Sequence, residues 1–301
     1  MARLSYEEHL EYLILFARSQ PDHWVCEACV ALHRVQENDT PNINSQSLTK
    51  ACPKARMALF PINYLRAQLF VLNHQHIQLA LKYTRTRDCK HRDYLKALTA
   101  PVHGYGYDAD RILVEPHPTP TASYSVYPKV VLGSDGNLRY LVMTIWDIYT
   151  GSEAMSRDTL GDTEICPHIT RHPVVWRPWR RWPDTLGDMA SAALKAREED
   201  NTDACTYGAC NMCRTEFCVQ PRQNSLRLTV WQDFGTEDSP INPVWESLCG
   251  IGTTGLWEEI MVDLPPGNIQ HLFESQPDES AEVRRLRRFL NLVHRQKKRR
   301  N

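Results

Sequence analysis

The chain has 301 residues, of which 42% are hydrophobic and 24% are charged. This length is enough to bury a sizeable core, and this composition excludes a wholly disordered chain. The longest apolar run near the start, Tyr12 to Ala17, is too short for a membrane span or for the core of a signal peptide, and acidic residues precede it. We therefore expect an intracellular protein, cytoplasmic or nuclear, that does not contact a membrane.

The formal net charge of -1 combines two unlike parts. The segment from Arg284 to Asn301 holds nine Arg or Lys and no Asp or Glu, whereas the rest of the chain holds 26 positive and 36 negative side chains. A basic tail on an acidic body can bind nucleic acid or another anionic partner, or it can be a solvated end, which we favour. We expect one composite domain over residues 1–278 and a basic helix and tail over residues 279–301.

The first half of the chain contains three predicted helices. Ser5 and Glu8 form a capping box, and apolar residues at helical spacing follow, which predicts a helix from Ser5 to about Ser19. A polar loop over 35–57 and a strand near 65–72 come next. Asn73 then caps a short helix, and another covers about Asp93–Leu98. Residues 100–125 are rich in Gly, Pro, Tyr and Thr and predict a loop.

The second half begins with a predicted hairpin, in which residues 127–132 and 139–149 flank a turn that contains Asp135-Gly136. An irregular stretch over 150–184 precedes a helix capped by Thr185 and Asp188. A strand over 226–231 and helices over 269–274 and 280–294 complete the chain. Helices that bracket antiparallel strands, without βαβ alternation, predict an α+β fold with flanking helices and long irregular loops.

Ten cysteines in a chain without a secretory signal favour metal ligation or buried thiols over a disulfide framework. Cys26 and Cys29 form a Cys-x-x-Cys pair, whose two-residue spacer lets both thiolates bind one tetrahedral ion. With His33 and Cys52 the pair completes a Cys₃His set, the usual composition of a structural zinc site.

A second Cys-x-x-Cys pair, Cys210 and Cys213, forms another four-ligand set with Cys166 and His168. A single zinc site shared by both pairs is an alternative, and Cys205 or Cys218 can substitute as ligands. Buried packing without metal is also consistent with the pattern. Thiol redox chemistry is less favoured, because no βαβ pattern surrounds either pair.

No motif specifies a reaction. The chain lacks a phosphate-binding Gly-x-x-x-x-Gly-Lys-Ser/Thr loop, a Gly-x-Gly-x-x-Gly turn, a Gly-x-Ser-x-Gly elbow and a His-Glu-x-x-His helix. Between residues 176 and 182, tryptophans interleave with arginines, which suits nucleic-acid contact or packing of a loop onto the core; we favour packing. Nothing here predicts catalytic residues, so an enzyme is the less favoured class.

Several short segments follow one another in a consistent order over roughly residues 5–275. They are Pro21-Asp-His-Trp-Val-Cys-Glu-Ala-Cys29 with Leu32-His33, Cys52-Pro53, Ile77-Gln-Leu-Ala-Leu-Lys82, Ile165-Cys-Pro-His168, Cys210-Asn-Met-Cys-Arg-Thr-Glu-Phe217 and Leu228-Thr-Val-Trp-Gln-Asp233. Together these segments resemble an uncharacterised group of filamentous-fungal proteins that often carry an F-box.

This resemblance implies a substrate-facing or accessory module of a cullin ubiquitin ligase, joined to its Skp-type adaptor through an F-box. No Leu-Pro-x-Glu-led F-box helices precede Ser5 in this sequence, so adaptor binding would require an F-box outside it. The resemblance implies no catalytic residues. The sequence therefore predicts a non-enzymatic binding module for an unidentified protein partner, with structural Zn²⁺ at one or two Cys/His sites.

Overall fold

The fold is given by a computed structural model. It describes residues 4–42, 52, 70–106, 122–149, 155–160, 163–170, 185–198, 205–239, 241–249 and 267–275. The Trp/Arg run over 176–182 and the basic helix and tail over 279–301 lie outside the described residues. So does most of the strand predicted near 65–72, whose described part is a single antiparallel bridge between Phe70 and Asn42.

A six-stranded sheet forms the centre of the fold. Its strands follow the order β3-β4-β5-β10-β9-β8, and every neighbouring pair is antiparallel. The strands are β3 (Val102–Gly106), β4 (Ala122–Leu132), β5 (Leu138–Tyr149), β8 (Thr206–Ala209), β9 (Thr215–Pro221) and β10 (Ser225–Asp233). This sheet and its flanking helices confirm the predicted α+β class.

The predicted hairpin is formed by strands β4 and β5. Both strands begin before the residues that were predicted for them. The turn closes with Gly136 at a φ of 77°, a left-handed conformation that glycine adopts without strain. The prediction of a loop over 100–125 was wrong at both of its ends. Val102–Gly106 forms edge strand β3, where a side chain on Gly104 would collide with Tyr124 on β4. Glycine here permits close strand contact rather than a turn.

Helices flank the sheet within the described residues. They are α1 (Tyr6–Ala17), α2 (His74–Thr86), α3 (Arg92–Leu98), α4 (Thr185–Glu198), α5 (Pro243–Cys249) and α6 (Asn268–Ser275). Five of these helices were predicted, and the Ser5/Glu8 capping box is present in full. Helix α5 was not predicted, because its seven residues follow a polar stretch over 236–242 that is typical of a loop. None of the described helices combines the length and apolar character that crossing a bilayer requires.

Two short hairpins lie outside the main sheet. The first pairs β1 (His23–Cys26) with β2 (Ala31–Arg34), and the second pairs β6 (Glu164–Cys166) with β7 (Ile169–Thr170). Neither was predicted from the sequence, since each strand has four residues or fewer. Each hairpin carries cysteine and histidine at or next to its turn.

The main core fills the space between the sheet and helices α2 and α4. A smaller core lies on the opposite face of the sheet, where Ile269 and Phe273 of α6 pack on Trp231 and Leu141. Helix α1 packs on the β1–β2 hairpin through Leu10 and Ala17. The first hairpin therefore lies between α1 and α2 and packs into a different hydrophobic cluster on each side.

A buried carboxylate joins the end of β10 to two other parts of the sheet. Asp233 accepts hydrogen bonds from Arg139 on β5 and from Arg214 beside the Cys210/Cys213 turn, both at 2.8 Å. Its second oxygen accepts from the backbone N–H of Gly235 at 2.8 Å. Asp233 is buried, whereas both guanidinium groups are partly exposed.

We expect Asp233→Ala to lower the free energy of unfolding by about 2–3 kcal/mol, because it leaves two guanidinium groups without their shared carboxylate. The matched control is Asp93→Ala, which removes a fully exposed ion pair with Lys96 and should cost much less, because solvent screens such a pair. Urea denaturation measures both variants. Equal losses for the two would contradict a structural role for the buried carboxylate.

Candidate metal centres

The first group of donors is built around the turn of the β1–β2 hairpin. Cys26 ends β1, Cys29 lies in the turn, His33 lies on β2, and Cys52 comes from the chain beyond the hairpin. Antiparallel pairing places His33 opposite Trp24, two residues before Cys26. One hairpin thus supplies three donors, and Cys52 supplies the fourth from a position 26 residues beyond Cys26.

The donor atoms of the first group are spaced as a tetrahedral ion requires. The Sγ atom of Cys52 lies 3.7 Å from that of Cys26 and 3.4 Å from that of Cys29. One donor atom from each of the four residues lies within 4.8 Å of all the others. Ligands bound to a tetrahedral ion at roughly 2.0–2.3 Å are roughly 3.3–3.8 Å apart, so little movement is needed to bind one.

Burial sets the protonation of this group. It raises the pKa of Cys26 to about 12, and the neighbouring Cys52 thiol adds to the effect. Desolvation lowers the pKa of His33, which keeps its ring neutral, the form that ligates metals. Its Nε2 atom is buried and makes no hydrogen bond to any described residue. A buried ring nitrogen beside three sulfurs is suited to a cation.

The turn itself is held in an uncommon conformation. Val30, the residue after Cys29, has a φ of 47°, in the left-handed region that β-branched residues rarely adopt. Its backbone N–H bonds to the carbonyl of Glu27 at 3.3 Å and closes the turn between the two cysteines. The surrounding structure must compensate for this strain, and bonds from Cys26 and Cys29 to one ion would do so.

The second group joins the β6–β7 hairpin to the main sheet. Cys166 ends β6 and His168 follows in the turn, while Cys210 and Cys213 lie in the turn between β8 and β9. One donor atom from each of these four residues again lies within 4.8 Å of the others. All three cysteines are buried, and the Nδ1 atom of His168 is buried with them.

The sulfurs of the second group interact strongly with one another. Burial raises the pKa of Cys166 and Cys213 well above the ordinary thiol range. Hydrogen bonds from Cys166 and Cys213 lower the pKa of Cys210, so the group favours a single thiolate at that position. The backbone N–H of Met212 also points at Cys210 Sγ, at 3.4 Å. These donors stabilise negative charge on sulfur, which a metal-binding thiolate requires.

Buried polar side chains of α2 hold the first hairpin in place. Gln78 accepts a hydrogen bond from the backbone N–H of Val25 and donates one to its carbonyl, each at 3.1 Å. The ammonium group of Lys82 donates to the carbonyls of His23 and Gln20, at 2.6 and 3.3 Å. The amide of Gln78 thus hydrogen-bonds to the edge of β1, next to Cys26, as a neighbouring strand would.

The base of the same hairpin is closed by His91. Its Nδ1 and Nε2 atoms contact the carboxylates of Glu37 and Asp22, at 2.9 and 2.8 Å. Asp22 precedes β1 and Glu37 follows β2, so one buried imidazole connects both ends of the hairpin. The donor group lies at the other end, in the turn.

The second hairpin has a corresponding support. Gln232 on β10 donates a hydrogen bond to the carbonyl of Ile165, at 3.2 Å, immediately before Cys166. Thr215 on β9 contacts Cys213 Sγ through its hydroxyl, at 3.2 Å. In both groups a buried glutamine therefore binds the backbone of the residue that precedes the first cysteine.

The structure brings the eight predicted residues together as two separate four-donor groups, which excludes one site shared by both Cys-x-x-Cys pairs. Cys205 and Cys218 do not substitute as ligands, because they form a disulfide with each other. Cys218 faces the smaller core around α6, on the other side of the sheet from Phe217 and Val219. Cys89 is a free, exposed thiol.

No sequence pattern identified the groups that support the two sites. Gln78, Lys82 and Gln232 are polar residues on a helix or strand, which usually face solvent. Helix α2 is buried on all sides from His74 to Tyr83, so its polar side chains lie in the core, and periodicity does not distinguish them from solvated residues. His76 likewise has a distant partner, because its Nε2 lies 3.1 Å from Asp39.

Comparison with known proteins adds no family to this description. No family model matches the chain, and no curated protein or solved structure is significantly similar to it. Function must therefore be inferred from the two donor groups and the surfaces around them.

We expect Gln78→Leu to lower the free energy of unfolding by about 2–4 kcal/mol, since the N–H and carbonyl of Val25 lose their partners in a buried position. The control is Gln270→Leu, which removes one exposed hydrogen bond to Glu274 and should cost about 0.5 kcal/mol or less. Chemical denaturation compares the two variants. A loss for Gln78→Leu no larger than that of the control would contradict the supporting role of this amide.

Lys82 provides a pH test. Burial lowers its pKa from 10.5 to about 8, against the opposing effect of Glu237. Between those two pKa values Lys82 carries a proton in the unfolded chain but not in the folded chain. The contribution of Lys82 to the free energy of unfolding therefore rises with pH over this range. We expect the wild type to gain stability relative to Lys82→Met from about pH 8 to pH 10.5. Parallel profiles of unfolding free energy against pH for the wild type and Lys82→Met would contradict this prediction. The control is exposed Lys96→Met, whose profile should run parallel to that of the wild type.

Proposed function

We propose that this protein is a zinc-stabilised binding module, in which two structural Zn²⁺ ions fasten two hairpins to an α+β core. The observation that carries the proposal is the pair of Cys₃His groups, each with four donor atoms within 4.8 Å of one another. The first ion would be bound by Cys26, Cys29, His33 and Cys52, and the second by Cys166, His168, Cys210 and Cys213.

The donor chemistry favours zinc. Three thiolates and one imidazole are a common set for Zn²⁺, and hard cations such as Mg²⁺ and Ca²⁺ prefer oxygen. Four protein ligands complete a tetrahedron and leave no position for substrate or for an activated water. The burial of Cys26, Cys52, Cys166, Cys210 and Cys213 supports the same conclusion. Both ions are thus assigned a structural role.

Zinc would supply much of the stability of the two hairpins. Each has strands of four residues or fewer, too short to be stable alone. Structural zinc contributes about 10–16 kcal/mol in small modules at neutral pH. That free energy offsets the cost of ordering the hairpins and the strained turn at Val30, and it leaves their outer surfaces available to a partner.

We propose a protein as the partner of this module, and a reducing, intracellular compartment as its location. Zinc-binding cysteines must remain reduced, which that compartment ensures. The Cys205–Cys218 disulfide lies outside both donor groups, and in that compartment we expect it to open to two thiols. The resemblance to fungal F-box proteins supports a place in a cullin ubiquitin ligase, where this chain would face the substrate. Binding to the Skp-type adaptor would then depend on an F-box outside this sequence.

The test is the metal content of purified protein by native mass spectrometry and inductively coupled plasma mass spectrometry. We expect two zinc ions per wild-type chain and one in each of Cys26→Ser/Cys29→Ser and Cys210→Ser/Cys213→Ser. The control is Cys89→Ser, which removes an exposed cysteine outside both groups and should keep two.

If a double variant does not fold, chelation of the wild type gives the same information. Removing zinc should abolish cooperative unfolding, and adding zinc back to reduced protein should restore it. The proposal would be refuted if wild-type protein, expressed in zinc-rich medium, contained no metal and unfolded identically with and without chelator.

A further inference from the structure

Helix α1 carries large apolar side chains on the face directed away from the β1–β2 hairpin. Tyr12, Leu15 and Phe16 are 57%, 65% and 45% exposed, and Leu4 and Tyr6 at its start are also exposed. Five of the nine exposed large hydrophobic residues in the described part of the chain therefore lie within residues 4–16. Such clustering is unusual on the surface of a monomer and marks an interaction surface.

Charge is distributed asymmetrically along the same helix. Its first half carries the exposed acidic residues Glu7, Glu8 and Glu11. Its end lies among the guanidinium groups of Arg18, Arg85 and Arg87. Glu237 accepts two hydrogen bonds from Arg85, at 2.7 and 3.0 Å, and approaches Arg18 at 3.9 Å, so this end retains a positive excess. One end of the surface is acidic, the other basic, and the middle apolar.

A groove of about 580 Å³ opens at the basic end of α1. Leu15 and Pro21 form part of its lining, together with Arg85, Thr86 and Cys89. Its walls combine apolar surface with charge, and Arg18, Arg85 and Arg87 outnumber the one carboxylate in the lining, that of Asp88. An apolar side chain next to acidic residues would fit it, and the start of α1 presents such a combination at Leu4 and Glu7.

We propose that α1 is a self-association surface, on which a second copy of this chain docks with its own α1 antiparallel. The apolar middle around Tyr12 would lie on the two-fold axis. At a rise of about 1.5 Å per residue, Tyr6 at the start of the helix lies about 9 Å from Tyr12, and Ala17 at its end lies about 8 Å away on the other side. Leu4 precedes this start, and Ser19 at the groove follows this end. Antiparallel docking thus brings Leu4 of each copy to the groove of the other.

The same arrangement pairs unlike charges at both ends. Glu7 of each copy would lie about one residue from Arg18 of the other along the helix axis, whereas parallel docking would place Glu7 against Glu7. A two-fold axis repeats every contact, so each favourable pair occurs twice. Self-complementarity of charge is the reason to prefer a second copy over an unrelated partner.

The available area predicts a weak dimer. Half-exposed aromatic and leucine side chains from two copies would bury about 1,000 Å² in total, near the lower limit for a specific interface. We therefore expect dissociation in the micromolar range and sensitivity to salt, because part of the attraction is between exposed charges. The proposal does not depend on zinc.

Sedimentation velocity over a range of protein concentrations tests the surface on the full chain. We expect Leu15→Glu to weaken dimerisation by at least about tenfold, because it places a carboxylate in the apolar middle. The matched control is Leu132→Glu, at a leucine that is 51% exposed on the β4–β5 hairpin, away from α1. It should dimerise as the wild type does.

A charge variant tests the orientation. Glu7→Lys should weaken the dimer, and adding Arg18→Glu to the same chain should partly restore it. These side chains are exposed, and circular dichroism with thermal melting checks that each variant stays folded. A wild type that remains monomeric throughout, or a dimer that Leu15→Glu and Leu132→Glu affect equally, would overturn the proposal. So would a dimer that both charge variants leave unchanged.

Discussion

Each of two short hairpins carries sulfur and imidazole groups at or next to its turn, close enough to hold one metal ion together with cysteines from elsewhere in the chain. The first group is Cys26, Cys29, His33 and Cys52, and the second is Cys166, His168, Cys210 and Cys213. Packing of Trp24, Val25 and Ile165 and the hydrogen bonds of Gln78, Lys82 and Gln232 also hold the hairpins. A bound cation would add a rigid connection at each turn, beyond the last backbone hydrogen bond between the strands.

The two groups share a design although their surroundings differ. In each, a buried glutamine binds the backbone of the residue before the first cysteine: Gln78 binds Val25, and Gln232 binds Ile165. A Cys-x-x-Cys turn supplies two of the three sulfurs in each group, on β1–β2 in one case and between β8 and β9 in the other. These supports fix the donor atoms before any ion binds, which lowers the entropy cost of coordination. Helix α2 thus supports the first site, and the main sheet supports the second.

Sequence patterns identified the candidate metal donors but not the side chains that hold those donors in place. Cys-x-x-Cys spacing identifies donors locally, and helix caps such as Ser5 with Glu8 fix α1 within a few residues. The hairpins that carry the donors have strands too short to show periodicity. Gln78, Lys82 and Asp39 act through contacts with residues far away in the chain, so no local pattern distinguishes them from solvated polar residues. Cys205 and Cys218 differ from the ligands only in the face of the sheet they occupy, which alternation along β9 decides.

The coordination of the bound metal tests the central claim most directly. X-ray absorption at the zinc edge of the purified wild-type protein reports the ligand atoms and their distances together. We expect an average shell of three sulfurs at about 2.3 Å and one nitrogen at about 2.0–2.1 Å, without a water oxygen. A shell dominated by oxygen and nitrogen would contradict structural Cys₃His sites. So would a shell of four sulfurs, because it would remove His33 and His168 from coordination.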